Sequence, residues 1–278
     1  QLTEPVYFGK ALAVGTGVVA SRSYEAKARG VETAMPFSEA RRRCPELIIH
    51  AGDAGLASRF RQRVGEIVAR HAPRVELSSL DDMYAELNGV DPGGDVGEDG
   101  PIAIARAIRA EVRAQTGLSV AQGIGATKTL ARLATNKSKP GGIFWVRPGR
   151  ERAFLDPLPV ETLPGVGRKT AELLASYRIQ SVAELRLLDR SLLRESFGAR
   201  GEELYWKARG MPCGPSDRVC ELGVEHGRPG GSWGEGASAQ QISRATSLWE
   251  ATSDIEELRA MLVYLVDRAA RCLRERGR

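Results

Sequence analysis

The chain has 278 residues, of which 42% are hydrophobic, so it can form two or three folded domains and is not a disordered tail. Forty Lys and Arg residues against 35 Asp and Glu residues give a net charge of +5, a mild bias toward a polyanionic partner. The sequence shows neither an 18-residue apolar run nor a signal peptide, so we expect a cytoplasmic protein without a membrane partner.

Cysteine and histidine are both scarce. The four cysteines are scattered without the paired spacing of a zinc site, and only three histidines occur. This pattern favours a reducing compartment and argues against a structural zinc. The sequence begins at Gln1 rather than Met, so we expect it to start inside a longer protein.

Short strands and a short helix are predicted at the start of the chain. Two apolar segments separated by glycines predict strands within 12–20. Ser23 is a favoured residue at the start of a helix and Gly30 a favoured residue just past its end, so a helix between them is expected. On this helix Tyr24 and Lys27 are three residues apart and share one face.

An acidic pair lies where two predicted strands meet. Polar and apolar residues alternate over 74–78 and again over 83–87, which predicts a strand on each side of Asp81 and Asp82. Since neighbours on an uninterrupted strand point to opposite faces, both carboxylates can reach one cation only where the backbone bends. Such a pair suits Mg²⁺ or Mn²⁺. The alternative is a solvated turn, in which Asp is common.

The remaining patterns of the first half predict an α+β arrangement of helices and strands around one sheet. The segment 91–100 is rich in Gly and Asp and has no period, so it is interpreted as a loop. Apolar periodicity and boundary residues indicate a strand at 118–124 and helices at 37–44, 58–71, 104–112 (closed by Gly117) and 128–136.

A glycine motif follows a basic segment. Between Lys128 and Arg152 there are seven basic residues and one acidic residue, although such a run is usually a solvated surface. Two glycines around one apolar residue predict a tight turn whose backbone N–H groups face outward at a helix N-terminus, where they can bind a phosphate. This resembles a helix-hairpin-helix, which binds a nucleic-acid backbone without reading bases; the alternative is an ordinary turn between helices. The motif is Leu163-Pro164-Gly165-Val166-Gly167-Arg168-Lys169-Thr170-Ala171.

The C-terminal part is predicted to contain further helices and a linker. Ser181 and Glu184 predict a capping box, and 197–201 carries a weaker second glycine turn. The Gly-, Pro- and Ser-rich segment 211–239 is interpreted as an interdomain linker. A strand is expected at 241–246, and the chain ends too early to complete a sheet domain. A helix follows that strand, with an apolar face formed by Ile255, Leu258, Leu262, Leu265, Val266 and Ala269.

Taken in order, these segments resemble Y-family translesion DNA polymerases of the DinB (DNA polymerase IV) kind over nearly the whole chain. Each segment alone is a weak signal, whereas their order is a strong one. The residues that carry the resemblance are Ser23-Tyr24-Glu25-Ala26-Lys27-Ala28-Arg29-Gly30-Val31 with Ala34-Met35-Pro36, Ser79-Leu80-Asp81-Asp82-Met83-Tyr84, Gly123-Ile124-Gly125 through Lys128 to Lys139-Pro140-Gly141-Gly142, and the glycine motif at 163–171.

The resemblance implies a right-hand polymerase fold of the α+β class, with a split palm and a thumb that carries the helix-hairpin-helix. The implied reaction is template-directed DNA synthesis across lesions, in which the primer 3′-hydroxyl attacks the α-phosphate of a dNTP and two metal ions stabilise the attacking and leaving oxygens. The implied domains are a palm remnant at 1–9, fingers at 10–55, palm at 56–148, thumb at 149–212, a linker at 213–239 and a partial little finger at 240–278.

The same resemblance implies roles for the acidic pair and the glycine motif. Asp81 would bridge two Mg²⁺ ions, for which Mn²⁺ can substitute, and Asp82 would hold the ion that activates the hydroxyl. Primer-template DNA would be bound by the residues Gly165, Val166, Gly167, Arg168 and Lys169.

The resemblance also implies which residues hold the incoming triphosphate. Ser21, Tyr24, Lys27 and Lys139 match the family positions, and hydroxyl and ammonium groups suit phosphate oxygens. The alternative places Tyr24 in the core and leaves the lysines solvated.

The chain departs from the family pattern at four points. Asp82 stands where Glu is usual, so its metal contact is expected to be longer or displaced unless the backbone compensates. Lys27 replaces the usual Arg, a point charge in place of a bidentate fork, and Asn136 replaces Asp without an assigned consequence. The family's first metal-binding Asp and the aromatic residue that excludes ribonucleotides lie upstream of Gln1, so we expect a fragment that extends primers poorly or not at all.

Two other functions fit part of the pattern. An inactive, polymerase-like accessory factor of the damage response would share the DNA-binding segments, but it has no use for neighbouring carboxylates that repel one another without a cation. A repair nuclease or ligase would account for the glycine motif but not for the phosphate-binding residues near the start. Beyond DNA and dNTP, the resemblance implies a sliding clamp as partner, bound through a C-terminal tail that this sequence lacks.

Overall fold

The computed structural model describes residues 5–90, 99–213 and 254–275. The chain divides into two compact units, Gln1–Ala54 with Gly223–Arg278 and Gly55–Leu222. Each unit combines helices with short strands, so the predicted α+β class is confirmed. None of the helices within the described ranges combines the length and the apolar character that crossing a bilayer requires.

The first unit contains a sheet in the order β2-β1-β3. β1 (Leu12–Thr16) and β2 (Val18–Arg22) form an antiparallel hairpin, and Gly17 between them has a φ of +73°, which favours glycine. The strands predicted within 12–20 are therefore confirmed. β3 (Ile48–His50), which the sequence pattern did not indicate, runs parallel to β1.

The helices α1 (Tyr24–Ala28) and α2 (Phe37–Arg43) belong to the same unit, close to their predicted bounds. Ser23 caps α1 as predicted, because its hydroxyl accepts a hydrogen bond from the Ala26 N–H at 3.2 Å. The same hydroxyl accepts from the Leu12 N–H at 3.1 Å. One side chain thus fixes the start of α1 against the first residue of β1.

A β-hairpin that shares a core with two helices begins the second unit. α3 (Ala54–Ala69) precedes β4 (Arg74–Leu77) and β5 (Met83–Glu86), which pair antiparallel as the alternation predicted. α4 (Gly100–Thr116) ends at Gly117, whose φ of +73° is the expected left-handed cap. The shared core contains the buried residues Val64, Ile67, Val75, Ile104, Ile108 and Val112.

A parallel strand pair joined by a helix follows. β6 (Gln122–Ile124) pairs with β7 (Ile143–Trp145), and α5 (Lys128–Ser138) connects them. Gly123 allows α5 to approach the strand closely, because a Cβ at this position would lie 2.1 Å from the backbone nitrogen of Thr135. The sequence pattern indicated α5 but not β7.

Two strand predictions need correction. The strand expected at 118–124 comprises only Gln122–Ile124, because the Leu118 N–H donates to the Thr116 hydroxyl at 3.2 Å and so continues the cap of α4. The single sheet that was expected is divided into three sheets within the described residues. Each strand has only three to five residues and pairs with one or two neighbours, so the strands do not join into one larger sheet.

The last part of the second unit is helical. The predicted glycine turn at 197–201 joins its final two helices: Gly198 has a φ of +63°, and a Cβ at Gly201 would lie 1.8 Å from the Leu193 carbonyl oxygen. The helices are α6 (Glu151–Leu155), a 3-10 helix (Val160–Thr162), α7 (Arg168–Ser176), α8 (Val182–Arg186), α9 (Arg190–Phe197) and α10 (Ala199–Lys207). Their core contains the buried residues Leu155, Leu163, Leu174, Leu185, Leu193 and Leu204.

The helix predicted near the C-terminus is present as α11 (Ile255–Glu275). Ile255, Leu258, Leu262 and Val266 of its predicted apolar face are exposed. The positions 91–98 of the predicted loop, 214–239 of the predicted linker and the strand expected at 241–246 lie outside the described residues.

The capping box of α8 gives a prediction for the pH dependence of stability. The Glu184 carboxylate accepts hydrogen bonds from the backbone N–H groups of Gln180 at 2.8 Å and Ser181 at 2.9 Å, and these bonds lower the pKa of Glu184 below its ordinary value of 4.5. A carboxylate with a depressed folded-state pKa contributes stability above its unfolded-state pKa, and this contribution is lost as the pH falls through the folded-state pKa.

We therefore expect Glu184→Gln to lower the melting temperature near neutral pH, and we expect the difference from wild type to shrink as the pH is lowered to about 3. Thermal unfolding followed by circular dichroism at several pH values measures this. Glu195→Gln makes the same change at an exposed position of α9 outside the cap and serves as the control. A difference for Glu184→Gln that stays constant down to the lowest pH would contradict the assignment.

Candidate functional site

The acidic pair lies in a bend between β4 and β5, as the sequence predicted. The Asp82 carbonyl accepts hydrogen bonds from the backbone N–H groups of both Ser78 and Ser79, each at 3.0 Å. These two bonds close the chain on itself just beyond the last strand pair, Leu77 opposite Met83. Asp81 therefore lies in a turn rather than in a strand, which meets the backbone condition for the two carboxylates to converge.

Ser79 orients this acidic turn, defined here as 78–82. Its hydroxyl donates to Asp81 Oδ1 at 2.9 Å and accepts from the Asp82 N–H at 3.0 Å. The side chains of Asp81 and Asp82 are both exposed, so water and a ligand can reach them. The role of Ser79 is local in sequence, and the frequency of such serine-to-backbone bonds in turns is a signal that could have indicated it.

The chemistry of the acidic turn fits a divalent cation that keeps most of its water. Mg²⁺ is usually held by one or two carboxylates, with water and phosphate oxygens in its remaining positions. Within the described residues, no cluster of three or more His, Cys, Asp or Glu side chains is arranged to hold a metal by itself. The donor set therefore suits an ion shared with a phosphate substrate and not a fully protein-coordinated structural ion.

Lys128 connects the two strands of the hairpin to α5, a contact that the sequence analysis missed. Its ammonium group lies 2.6 Å from Glu76 Oε2 on β4 and 5.4 Å from the centre of the Tyr84 ring on β5. The side chains of Lys128 and Glu76 are only 12% and 24% exposed, so solvent screens this ion pair weakly. The strands that carry the acidic turn are thereby held to the first turn of α5.

The residues predicted to hold a triphosphate in the first unit lie on α1 and just before it. Tyr24 and Lys27 are exposed on α1, and Ser21 is exposed on β2. Tyr24 is 58% exposed, which rules out the alternative that it packs in the core. Its position follows directly from the Ser23 cap, because Tyr24 is the first helical residue.

Lys139, the fourth predicted triphosphate ligand, lies in the second unit at the C-cap of α5. It is exposed, and its ammonium group donates to Asn136 Oδ1 at 3.3 Å. This contact gives a structural role to Asn136, the residue to which sequence analysis assigned no consequence. A neutral amide at this position contacts the lysine without neutralising its charge, whereas Asp would form an ion pair.

The glycine motif forms a turn at the start of α7. Gly165 has a φ of +102°, a conformation that favours glycine, and Gly167 is the N-cap residue of α7 without a capping side chain. Arg168 and Lys169 are exposed in the first turn of this helix. From α10, the ammonium group of Lys207 donates to the Pro164 carbonyl at 3.2 Å and supports the turn from behind.

Two family models match this chain. The model of the impB/mucB/samB family matches residues 1–136, and a model described as the thumb domain of DNA polymerase-iota matches residues 161–211. The second match covers the glycine motif and the helices α7 to α10.

The chain is also similar to curated proteins named DNA polymerase IV. The protein of Stenotrophomonas maltophilia strain R551-3 is 38% identical over 232 residues, which cover 81% of this chain and 64% of the relative. The protein of strain K279a is 35% identical over 265 residues, covering 93% of this chain and 72% of the relative. The chain thus spans somewhat under two thirds of the first relative's length.

Two solved structures with the same fold are those of DinB and of Dbh DNA polymerase. DinB from Sulfolobus solfataricus has a TM-score of 0.67 and 29% identity, with 75% of this chain and 62% of that chain covered. An insertion ternary complex of Dbh DNA polymerase has a TM-score of 0.70 and 26% identity, with 77% and 64% covered.

We expect the ion pair between Lys128 and Glu76 to contribute measurably to stability. Lys128→Met leaves the half-buried Glu76 carboxylate without this cation, so the free energy of unfolding should fall by about 1–3 kcal/mol. A double-mutant cycle with Glu76→Gln, measured by urea denaturation, should give a coupling energy of about 1 kcal/mol or more.

The matched control is the pair of Arg63 and Glu66 on α3, whose side chains are 49% and 48% exposed. An exposed helical pair of this kind has a coupling energy of about 0.5 kcal/mol or less. A coupling energy for Lys128 and Glu76 no larger than that of the control pair would contradict this account of the hairpin.

Proposed function

The chain belongs to the impB/mucB/samB family of Y-family, DinB-like DNA polymerases, and from this premise we propose that the native full-length protein catalyses template-directed DNA synthesis across damaged bases. The observation that carries the proposal is the exposed acidic turn, in which Ser79 holds the Asp81 carboxylate at a bend between two paired strands. The proposed substrates are a deoxynucleoside triphosphate and primer-template DNA. The reaction forms a bond between the primer 3′-oxygen and the α-phosphorus and releases pyrophosphate.

Asp81 and Asp82 are the proposed metal-binding residues. They would hold two Mg²⁺ ions, or Mn²⁺ in their place, which would supply positive charge at the attacking and leaving oxygens of phosphoryl transfer. The carboxylate of Asp82 is one methylene shorter than the Glu that is usual in the family. Its backbone carbonyl and its N–H are both bound within the turn, so the side chain extends from a fixed backbone.

The residues proposed to bind phosphate oxygens of the triphosphate are exposed and carry polar groups. In the first unit, the Tyr24 hydroxyl, the Lys27 ammonium group and the Ser21 hydroxyl can donate to phosphate oxygens. Lys139 is likewise proposed to bind a phosphate oxygen through its ammonium group. Lys27 carries a compact, rotatable charge where the family usually has the bidentate fork of Arg, so it can neutralise a phosphate without fixing its orientation.

The glycine turn is proposed to bind the DNA backbone. Gly165 and Gly167 are both exposed, and a Cβ at Gly167 would meet no atom within 4 Å, so a phosphate can approach the backbone N–H groups of this turn. Arg168 and Lys169 add positive charge in the first turn of the same helix. Contacts of this kind bind phosphates of any sequence and weaken as salt rises.

An inactive accessory factor is the less favoured alternative. The acidic turn is ordered by side-chain and backbone hydrogen bonds, and a protein that only binds DNA gains nothing from two adjacent exposed carboxylates on that turn. The cytoplasmic location and the contact with a sliding clamp stay predictions.

We expect Asp81→Asn in the native full-length protein to reduce primer extension by roughly 10³-fold, because a metal ligand supplies several kcal/mol of transition-state stabilisation. DNA affinity should stay close to that of wild type, since the acidic turn is not the proposed DNA clamp. Single-nucleotide incorporation and fluorescence anisotropy measure the two effects.

Asp82→Glu is the matched variant, since it restores the usual family residue and retains the charge. It should keep or raise the incorporation rate. Incorporation by Asp81→Asn at the wild-type rate would overturn the assignment of the metal site.

We expect Gly165→Ala to weaken DNA binding about tenfold or more. A non-glycine residue at a φ of +102° costs about 1–3 kcal/mol, so the free turn should relax to another conformation, and DNA binding must then restore the strained one. The loss should be independent of DNA sequence and should be measured by anisotropy at several salt concentrations. Gly89→Ala is the matched control: its φ is +73°, its Cβ would meet no atom within 4 Å, and it lies after β5. Equal effects of the two substitutions would contradict the proposed role of the glycine turn.

A further inference from the structure

Arg61 on α3 reaches the acidic turn from the neighbouring helix. Its Nε donates to the Ser79 carbonyl at 2.8 Å, and one of its terminal nitrogens donates to the Leu77 carbonyl at 3.1 Å. Leu77 is the last residue of β4, and Ser79 is the residue whose hydroxyl holds Asp81. A single guanidinium group therefore spans the end of the strand and the middle of the bend.

Arg61 can reach the two carbonyls because α3 lies close to the end of β4. Gly65 is four residues after Arg61 and lies on the same face of α3. A Cβ at Gly65 would lie 3.2 Å from Cδ2 of Leu77, so the missing side chain lets the helix backbone come close to the end of β4. The core beneath the hairpin, which includes Ile67 and Val75, holds the helix at that distance.

The hydrogen bonds from Arg61 restrain the backbone on both sides of Ser78, and so the residue Ser79, whose hydroxyl binds Asp81. Beyond Leu77 the strand ladder has ended, and the N–H groups of Ser78 and Ser79 share one acceptor, the Asp82 carbonyl. The carbonyls of Leu77 and Ser79 instead accept charge-assisted hydrogen bonds, which are stronger than bonds between neutral groups. The Ser79 residue is thus held at its N–H, its hydroxyl and its carbonyl.

We propose that Arg61 is a positioning residue that presets the acidic turn for a divalent cation by fixing the backbone from which Ser79 orients Asp81. The inference rests on the proposed function, because the cation is the one that the polymerase reaction uses. Arg61 does not touch substrate or metal in this role. Its effect is to reduce the rearrangement that the carboxylates undergo when the ion binds.

The test compares two arginines of one helix in the native full-length protein. Arg61→Met removes both bonds to the turn and keeps an unbranched side chain about as long as the aliphatic part of arginine. Arg63→Met is the control, because the guanidinium group of Arg63 binds Glu66 and Gln115 instead. Arg61→Lys retains the charge and can donate to the carbonyls without the fixed fork.

Mn²⁺ is the probe, and its binding is followed through the electron paramagnetic resonance signal of the free ion, in the presence of dNTP and a dideoxy-terminated primer-template. We expect Arg61→Met to raise the apparent Mn²⁺ dissociation constant about tenfold or more, the usual effect of losing a group that supports metal ligands. Arg61→Lys should recover part of the affinity, and Arg63→Met should bind as wild type. DNA affinity should be unchanged in all three.

Unchanged Mn²⁺ affinity in Arg61→Met, with a lowered melting temperature, would overturn the proposal and leave Arg61 a structural residue only. If Arg61→Met does not fold, the comparison of Arg61→Lys with Arg63→Met decides in the same way. Failure of the proposed function appears separately, as absence of primer extension by the wild-type protein, because the Mn²⁺ titration does not depend on turnover.

Discussion

Two neighbouring carboxylates repel each other and, on a straight strand, point to opposite faces, so their joint use depends on a bend whose shape the rest of the structure must hold. The bend is closed by the Asp82 carbonyl, which accepts two N–H groups, and it is oriented by the Ser79 hydroxyl. The helices α3 and α4 bury the apolar side of the hairpin beneath it. The acidic turn is exposed, so its shape depends on the buried core that α3, α4 and the hairpin share.

The sequence was sufficient to predict a structural feature wherever the residues that cause it are close together along the chain. The start of α1 follows from one cap residue, Ser23, and the end of α4 from one residue with positive φ, Gly117. The hairpin around Asp81 follows from an alternation that spans only a few residues on each side. The same locality explains why the turn at Gly165 was found, because a positive φ is favoured by glycine and is therefore visible in the local sequence.

The sequence was insufficient where the partner lies far along the chain. The strands β3 and β7 have three residues each, too few to show a period, and their parallel partners are distant in sequence. Arg61 lies 16 and 18 residues from its two acceptors, and Lys128 lies 52 residues from Glu76. The expectation of one sheet failed because the strands of three to five residues form three separate sheets, and their sequences do not show which strands pair.

Long-range contacts of basic side chains also affect how the positive net charge of the chain should be interpreted. Several basic side chains bind backbone carbonyls or a carboxylate within the second unit, so their donor groups are already engaged in contacts inside the protein. The net charge of +5 therefore does not show how many of these donor groups are available to a polyanion. The residues proposed above to contact DNA, Arg168 and Lys169, are exposed, and Arg168 also forms a surface ion pair with Glu172. The internal contacts are Arg61 with Ser79 and Leu77, Arg109 with Gly141, Lys128 with Glu76, Lys207 with Pro164, and Arg209 with Arg186 and Tyr205.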